Sequence, residues 1–394
     1  MNQKIEIHTV SDYPVINLHL ELSSKCTLHC PRCPRTEKKG KYKVTEHTLE
    51  FVQSVLTVEL LNSTPNITLC GGQGDPIYCR DFIEIIKYIK SVNHKIQLTI
   101  ITNGSYKNRD WWVEVANILN QYDIIIFSID GWDNASNNLY RVNSDFDSIM
   151  LGLDTLRKTN SNLNIIWSTI LFKFNQYNIK DICDLAKSMG VNSFNLVRST
   201  LFGSNIPSYL DKDGYDSLEP TIISKWDYHE LEAGVQLNPL NNLHNGTNVK
   251  IRAQADLTKE LYIDSPVIPL CVAGDRSLYI DAEGILYPCS WISHPFGIRV
   301  SKTRDKTILW NKSLFVEHKS NFDLNLHTMS EIISSTLWKN LMSSWKDSSK
   351  MFVECENKCN NKASVNRITN RTTNVNNKMS YDDFVKILES WPSG

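Results

Sequence analysis

Between residues 15 and 200 the chain alternates between short apolar runs and stretches in which apolar residues return every three or four positions. A run bounded by turn residues reads as a buried strand, and the wider spacing reads as one face of a helix. VINLHLEL (15–22) predicts the first strand, followed by a polar loop and a helix over about 45–58. NITLC (66–70) predicts the second strand, with the helix RDFIEIIKYIKSV (80–92) after it. KIQLTIIT (95–102) and WWVEVANILNQ (111–121) form the third pair, and DIIIFSID (123–130) with a helix over roughly 145–158 the fourth. LNIIWSTILF (163–172) and IKDICDLAKSMG (179–190) form the fifth, with Gly190 where a helix stops. VNSFNLVRS (191–199) is a sixth strand. Near-continuous apolar strands, each followed by an amphipathic helix, predict an α/β fold with a parallel sheet covered on its outer face. Six such units fit an open doubly wound sheet or a partial barrel, and either one puts its site at the carboxyl ends of the strands.

The rhythm stops at residue 201, and the stretch to 265 is rich in Asn, Asp, Gly and Pro. A second unit follows. RSLYIDAEGILYPCSW predicts a β-hairpin turned at Asp281–Gly284, and EIISSTLWKNLMSSW (331–345) a helix. Residues 360–378 are polar and Asn-rich, and YDDFVKILESW (381–391) reads as a short closing helix. The expected organisation is an α/β domain over 1–205, a connector over 206–265, a small α+β domain over 266–362, and a polar segment with a terminal helix over 363–394.

Composition narrows the class. The 394 residues are 41% hydrophobic and 22% charged, as in a globular protein, and the net charge of −1 supplies no basic field for nucleic acid. The start, MNQKIEIHTV, has no apolar core of a signal peptide, and no apolar run is long enough to span a bilayer. The expectation is a cytoplasmic protein with no membrane partner. There, clustered cysteines read as metal ligands before disulfides.

The sharpest cluster is Cys26, Cys30 and Cys33, spaced CxxxCxxC in the loop after the first strand. A cubane 4Fe–4S cluster has four irons, each wanting one outside ligand. Three thiolates leave the fourth iron open, by the logic that gives a catalytic zinc an open position. The alternative is a zinc knuckle completed by His29.

At the first loop of a six-unit parallel fold, CxxxCxxC resembles the radical S-adenosylmethionine (radical SAM) superfamily over residues 15–200. The resemblance implies a partial (β/α)6 TIM-type barrel and an enzyme in which S-adenosylmethionine chelates the open iron. One electron from the cluster then cleaves the cofactor to a 5′-deoxyadenosyl radical, which takes a hydrogen from substrate. An electron donor such as flavodoxin or ferredoxin is implied as a partner. After the second strand, Gly71 and Gly72 match the family's Gly-Gly-Glu turn, which grips the methionyl ammonium; Gln73 stands where the family has Glu, with Asp75 two residues on as a source of negative charge. A neutral acceptor makes a weaker bond to a cation than a carboxylate does. The bland reading of this turn is a tight bend needing positive φ. Asn103, after the third strand, is similar to a family turn that faces the cofactor. Ser128 and Asp130 with Gly131, followed by Arg141, resemble the Ser-x-Asp-Gly…Arg pattern of peptide-modifying branches, in which the serine contacts the cofactor and the arginine its carboxylate. Ser168 is placed to reach the ribose, and Asn175 reads as a helix cap. Arg32 stands where the family prefers an aromatic residue.

Cys271, Cys289, Cys355 and Cys359 resemble the ligand set of a twitch domain, a shortened SPASM relative that binds one auxiliary 4Fe–4S cluster. By count alone a structural zinc fits them equally. The resemblance implies hydrogen abstraction leading to oxidation or bond formation on a peptide or protein side chain. A small-molecule substrate, a sugar or nucleotide derivative, is the second reading, because residues 1–14 before the first strand leave little room for a peptide-recognition module. A reading from another class is a zinc-binding module that contacts RNA or protein through its Asn-rich end. That segment lacks interleaved aromatics for stacking.

Overall fold

All six expected strands form in the computed structural model, which describes residues 17–31, 33–37, 43–198, 209–210, 217–218, 277–293 and 317–343. They are β1 (Asn17–Leu20), β2 (Asn66–Leu69), β3 (Gln97–Thr102), β4 (Ile124–Ser128), β5 (Asn164–Leu171) and β6 (Ser193–Arg198). Their order in the sheet is the order in the chain, and β2 to β6 pair in parallel. Helices fill the crossovers: α1 (Pro34–Glu37), α2 (Leu49–Val55) and α3 (Val58–Ser63) before β2, α4 (Phe82–Val92) before β3, and α5 (Arg109–Ile118) before β4. Then come α6 (Asn134–Asn138) and α7 (Phe146–Thr159) before β5, and α8 (Ile179–Ser188) before β6. This is the partial (β/α)6 barrel arrangement.

The structure corrects two helix boundaries here. The helix expected over 45–58 is the shorter α2, which the Thr48 side chain caps by accepting from Phe51 N–H, and a further helix, α3, follows it where the Thr57 side chain accepts from Leu60 N–H. Helix α6 was not foreseen; a reciprocal capping box between Asp133 and Ser136 holds it. Gly190 ends α8 as expected, at φ +71° with its N–H donating to Lys187 O.

Alternation along the strands separates two faces. Leu18, Ile67, Leu98, Ile125, Phe127, Ile165 and Trp167 are buried. Phe127 sits 5.5 Å from the Trp112 ring on α5, so this face is the one the helices cover. Burying each such side chain contributes about 1.5–3 kcal/mol. The opposite face is half-buried and carries Thr68, Thr99, Ser128, Ser168 and Asn195. That inner face is where a ligand meets the strand ends.

The chain divides into two compact units. The first holds Leu18 through β6, the two-residue hairpin of β7 (Tyr209–Leu210) and β8 (Ser217–Leu218), and Ile280–Gly284. The expected bend at Asp281–Gly284 is present, with Gly284 at φ +90° and its N–H donating to Asp281 O. The second unit includes Tyr279, Ile285–Ser293 and 317–343 among the described residues. The helix expected over 331–345 is two, Met329–Ser334 and Thr336–Ser343. Ser335 divides them: its N–H bonds back to Ile332 O, while its Oγ accepts from Trp338 N–H and opens the next turn. The expected helix over 381–391 lies outside the described residues.

Candidate functional site

The loop after β1 carries the three cysteines. Leu28 and Cys30 are buried in one cluster with Tyr140 and Phe172, and Cys26, Cys33, Ile170 and Phe174 pack against it. The loop tightens where Cys33 N–H donates to Cys30 O (3.0 Å) and Thr36 N–H to Cys33 O (2.9 Å), and the Arg35 guanidinium donates to Leu28 O. Burial pushes the Cys26 thiol up to about 12 and the Cys30 thiol up to about 11, so without a metal both are neutral. A coordinating cation is what ionises a buried thiol.

Among the described residues no three His, Cys, Asp or Glu side chains converge on a single metal ion. His29, the fourth ligand of the zinc alternative, is exposed. Three cysteines gathered on one apolar cluster are a donor set that fits a 4Fe–4S group, in which each sulfur meets a different iron.

Behind Cys26 stands a strut. Asp75 is buried and accepts from Thr102 Oγ1 (2.9 Å), Asn103 N–H (2.6 Å), Asn103 Nδ2 (2.7 Å) and Ile77 N–H (3.2 Å). Burial raises its carboxyl to about 6. The other end of the Asn103 carboxamide accepts from Tyr78 OH (3.2 Å) and Ser105 N–H (2.9 Å), while Nδ2 reaches Cys26 Sγ at 3.6 Å. Both Asp75 oxygens are thus occupied within the protein, which corrects the expectation that Asp75 offsets the neutral Gln73.

The Gly-rich turn after β2 owes Gly71 and Gly74 to close approach. A Cβ on Gly71 would lie 2.3 Å from Gly74 O, and one on Gly74 would lie 1.9 Å from Ser23 O. Neither residue, nor Gly72, is among the positive-φ positions, so the bend needing positive φ is not the reason. Glu21 shapes the turn: its buried carboxylate accepts from Gln73 N–H (2.6 Å) and Gly74 N–H (3.0 Å). Sequence reading missed Glu21, although it is the one acid in the apolar run VINLHLEL.

After β4, Asp130 and Arg141 pair at 2.6 Å. Asp130 is fully buried; its Oδ1 accepts from Ile170 N–H (2.6 Å), and its Oδ2 takes Arg141 Nε. The pairing aims the guanidinium beside Cys30, where it opposes the rise in the thiol's pKa. Asn175 does not cap α8, whose N-cap position is Asn178. Instead it is buried, accepts from Phe172 N–H and donates to Asp130 O and Ile170 O, tying the loop after β4 to that after β5.

Ser128, Ser168 and Asn195 are register partners across β4, β5 and β6. All three are half-buried on the inner face. Ile126, Ile166 and Ser193 share the next row on one side, and Ile170 and Val197 lie on the other. Half-buried polar side chains on such a face find partners in protein, ligand or water. Sequence reading named the two serines and missed Asn195, because register is not written in any one strand.

Cys183 is core on α8. Cys70 is half-buried, and Cys79 is buried with its thiol donating to His47 O (3.3 Å). Cys289 is half-buried after β10 (Leu286–Tyr287), the strand that follows β9 (Ser277–Ile280). Arg32, Cys271, Cys355 and Cys359 lie outside the described residues.

Residues 20–196 match the profile of the Radical SAM superfamily. Among solved structures the chain is similar to hexahistidine-tagged anSMEcpe with bound AdoMet, at 16% identity and TM-score 0.51, covering 95% of this chain and 98% of that one. Native anSMEcpe with bound AdoMet and Cp18Cys peptide aligns at 16% identity and TM-score 0.50, covering 86% of this chain and 85% of that one. Streptococcus suis SuiB bound to S-adenosylmethionine aligns at 14% identity and TM-score 0.49, covering 73% of this chain and 63% of SuiB. At these identities the likeness is one of fold. No curated protein matches the chain. No helix among the described residues is long and apolar enough to cross a membrane.

Proposed function

We propose that the chain, whose residues 20–196 match the profile of the Radical SAM superfamily, is an S-adenosylmethionine-cleaving enzyme of that superfamily that abstracts a hydrogen from a peptide or protein side chain. The observation that carries the reading is the packing of Cys26, Cys30 and Cys33 on one apolar cluster at the carboxyl end of β1. When bound there, a 4Fe–4S group would supply the electron that opens the sulfonium and would leave one iron for the cofactor.

The chain's own residues then bind and orient. Gly71 and Gly72 offer backbone to the methionyl end, on a turn held by Glu21. Gln73 is the polar side chain that this turn presents. Arg141, aimed by Asp130, meets a carboxylate with a guanidinium fork. The Asn103–Asp75 strut holds the Cys26 end of the loop. Ser128, Ser168 and Asn195 offer two hydroxyls and a carboxamide to the nucleoside. Asn195→Leu removes the carboxamide at similar volume, so S-adenosylhomocysteine should bind roughly tenfold more weakly by calorimetry, as expected for the removal of a single hydrogen bond. An unchanged affinity would remove Asn195 from the site.

A peptide substrate is favoured because a similar structure, that of native anSMEcpe, carries the Cp18Cys peptide beside AdoMet. We further propose that Cys271, Cys289, Cys355 and Cys359 bind an auxiliary 4Fe–4S cluster, which accepts an electron in an oxidation or supports bond formation. Flavodoxin or ferredoxin is the class of donor proposed. Wild-type protein reconstituted without oxygen should then hold about eight irons, two four-iron clusters, and should release 5′-deoxyadenosine under a strong reductant. About four irons with the same release would remove only the auxiliary cluster. Zinc in colourless protein would overturn the whole reading.

A further inference from the structure

Two non-glycine residues among those described have positive φ, Tyr106 at 64° and Asn143 at 69°. Such a conformation is uncommon for any residue with a Cβ and is a clear outlier for a bulky one. The two are bonded to each other, with Tyr106 OH donating to Asn143 O at 2.9 Å. Both are exposed, so no packing demand of the core explains them. Outliers of this kind persist where surrounding bonds determine them, and they gather at functional sites.

The bonds around them lead to one place. Asn143 Nδ2 donates to Thr27 O at 2.8 Å, and His29 N–H donates to Val142 O at 2.9 Å. Thr27 and His29 lie between Cys26 and Cys30. On the other side, Tyr106 N–H donates to the Ser148 hydroxyl (2.7 Å), which anchors the loop after β3 to the start of α7. The loops after β1, β3 and β4 thus meet here, with the exposed Asn143 carboxamide and Tyr106 phenol adding side-chain bonds to the backbone bond from His29.

We propose that Asn143 and Tyr106 form a latch that holds the three-cysteine loop closed and sets how readily it opens to take up or lose its cluster. The part concerning the cluster rests on the function proposed above. Asn143 acts here as a positioning residue. Left-handed backbone lets it place its carbonyl toward Tyr106 and its side chain toward Thr27 at the same time. The neighbouring Arg141 and Tyr140 act on Cys30 through the ion pair and the apolar cluster, so the latch is a separate hold on the other side of the loop.

Asn143→Gly separates a latch from a merely conformational role. Glycine adopts positive φ more readily than asparagine, so a purely conformational role would survive the change. A latch would not, because the carboxamide is gone. Hydrogen exchange should be measured on the iron-free full chain, following the peptide over residues 26–33, with α4 as control. Exchange in that peptide should rise roughly five-fold in Asn143→Gly, as for the loss of one net hydrogen bond. It should also rise in Tyr106→Phe, while α4 stays unchanged. In reconstituted protein the same variants should lose iron to a chelator faster by a similar factor. Unchanged loop exchange in Asn143→Gly, or a rise that α4 shares, would overturn the latch. Faster loop exchange in a chain that takes up no iron would leave the latch standing and remove the cluster.

Discussion

Cys30→Ala should lower iron in the reconstituted chain by about four per molecule, one four-iron cluster, and bring 5′-deoxyadenosine release down to the uncatalysed background. Cys30 is the middle of the three proposed ligands and the most buried, sharing its cluster with Leu28, Tyr140 and Phe172. Alanine leaves only two thiolates in the loop, and among the described residues no group of three His, Cys, Asp or Glu side chains is set to hold a metal in their place. Free cysteine packs as a small hydrophobe, so the substitution should leave the far-ultraviolet circular dichroism unchanged. The loss would then be one of chemistry and not of folding. Retained turnover with a full complement of iron would remove the site assignment.

The second large effect is on stability. Asp130→Ala should destabilise the fold by about 3–5 kcal/mol, the usual cost of removing one partner of a buried ion pair. The carboxylate is wholly buried, it pairs with Arg141 at 2.6 Å, and its other oxygen takes the Ile170 N–H. Without it a guanidinium remains beside Cys30 with no counter-charge, and a backbone donor at the end of β5 goes unpaired. Urea denaturation of the iron-free protein measures the loss. The double variant Asp130→Ala with Arg141→Met should recover part of it, because a buried pair replaced by apolar side chains is often near neutral. If Asp130→Ala alone cost under about 1 kcal/mol, as an exposed pair does, the pair would hold no part of the site together.

The six strands were legible because each is an apolar run bounded by turn residues, and the parallel arrangement followed from the helices between them. The helix over 45–58 was drawn too long and α3 was missed, because a single hydroxyl at Thr57 ends one helix region and starts the next. A cap is a local competition that spacing does not record. The cysteine loop was marked out by its spacing, since the proposed ligands of one cluster must lie close together. What surrounds it was not. Glu21 and Asn195 become partners of the site only when strands are set side by side, and Asp130 finds Arg141 across eleven residues and a short helix. The expectation for Asn175 failed because a cap depends on where its helix begins, and α8 begins at Ile179. The glycine turn was recognised correctly by its residues and explained incorrectly. Contact with Ser23 and within the turn, not backbone handedness, excludes a side chain there.

The row of Ser128, Ser168 and Asn195 also sets how the fold can change over time. Neighbouring residues on a strand point to opposite sides, so deleting one residue early in β5 would swing the Ser168 hydroxyl toward the helices, turn the Trp167 indole to the inner face at the place of Ile166 and put Thr169 where Ser168 stood. Such a deletion would damage hydrocarbon packing and ligand recognition in a single event. Length variation among descendants of this chain is therefore expected in the connections, while the pleated segments keep their residue count and diversify by substitution alone.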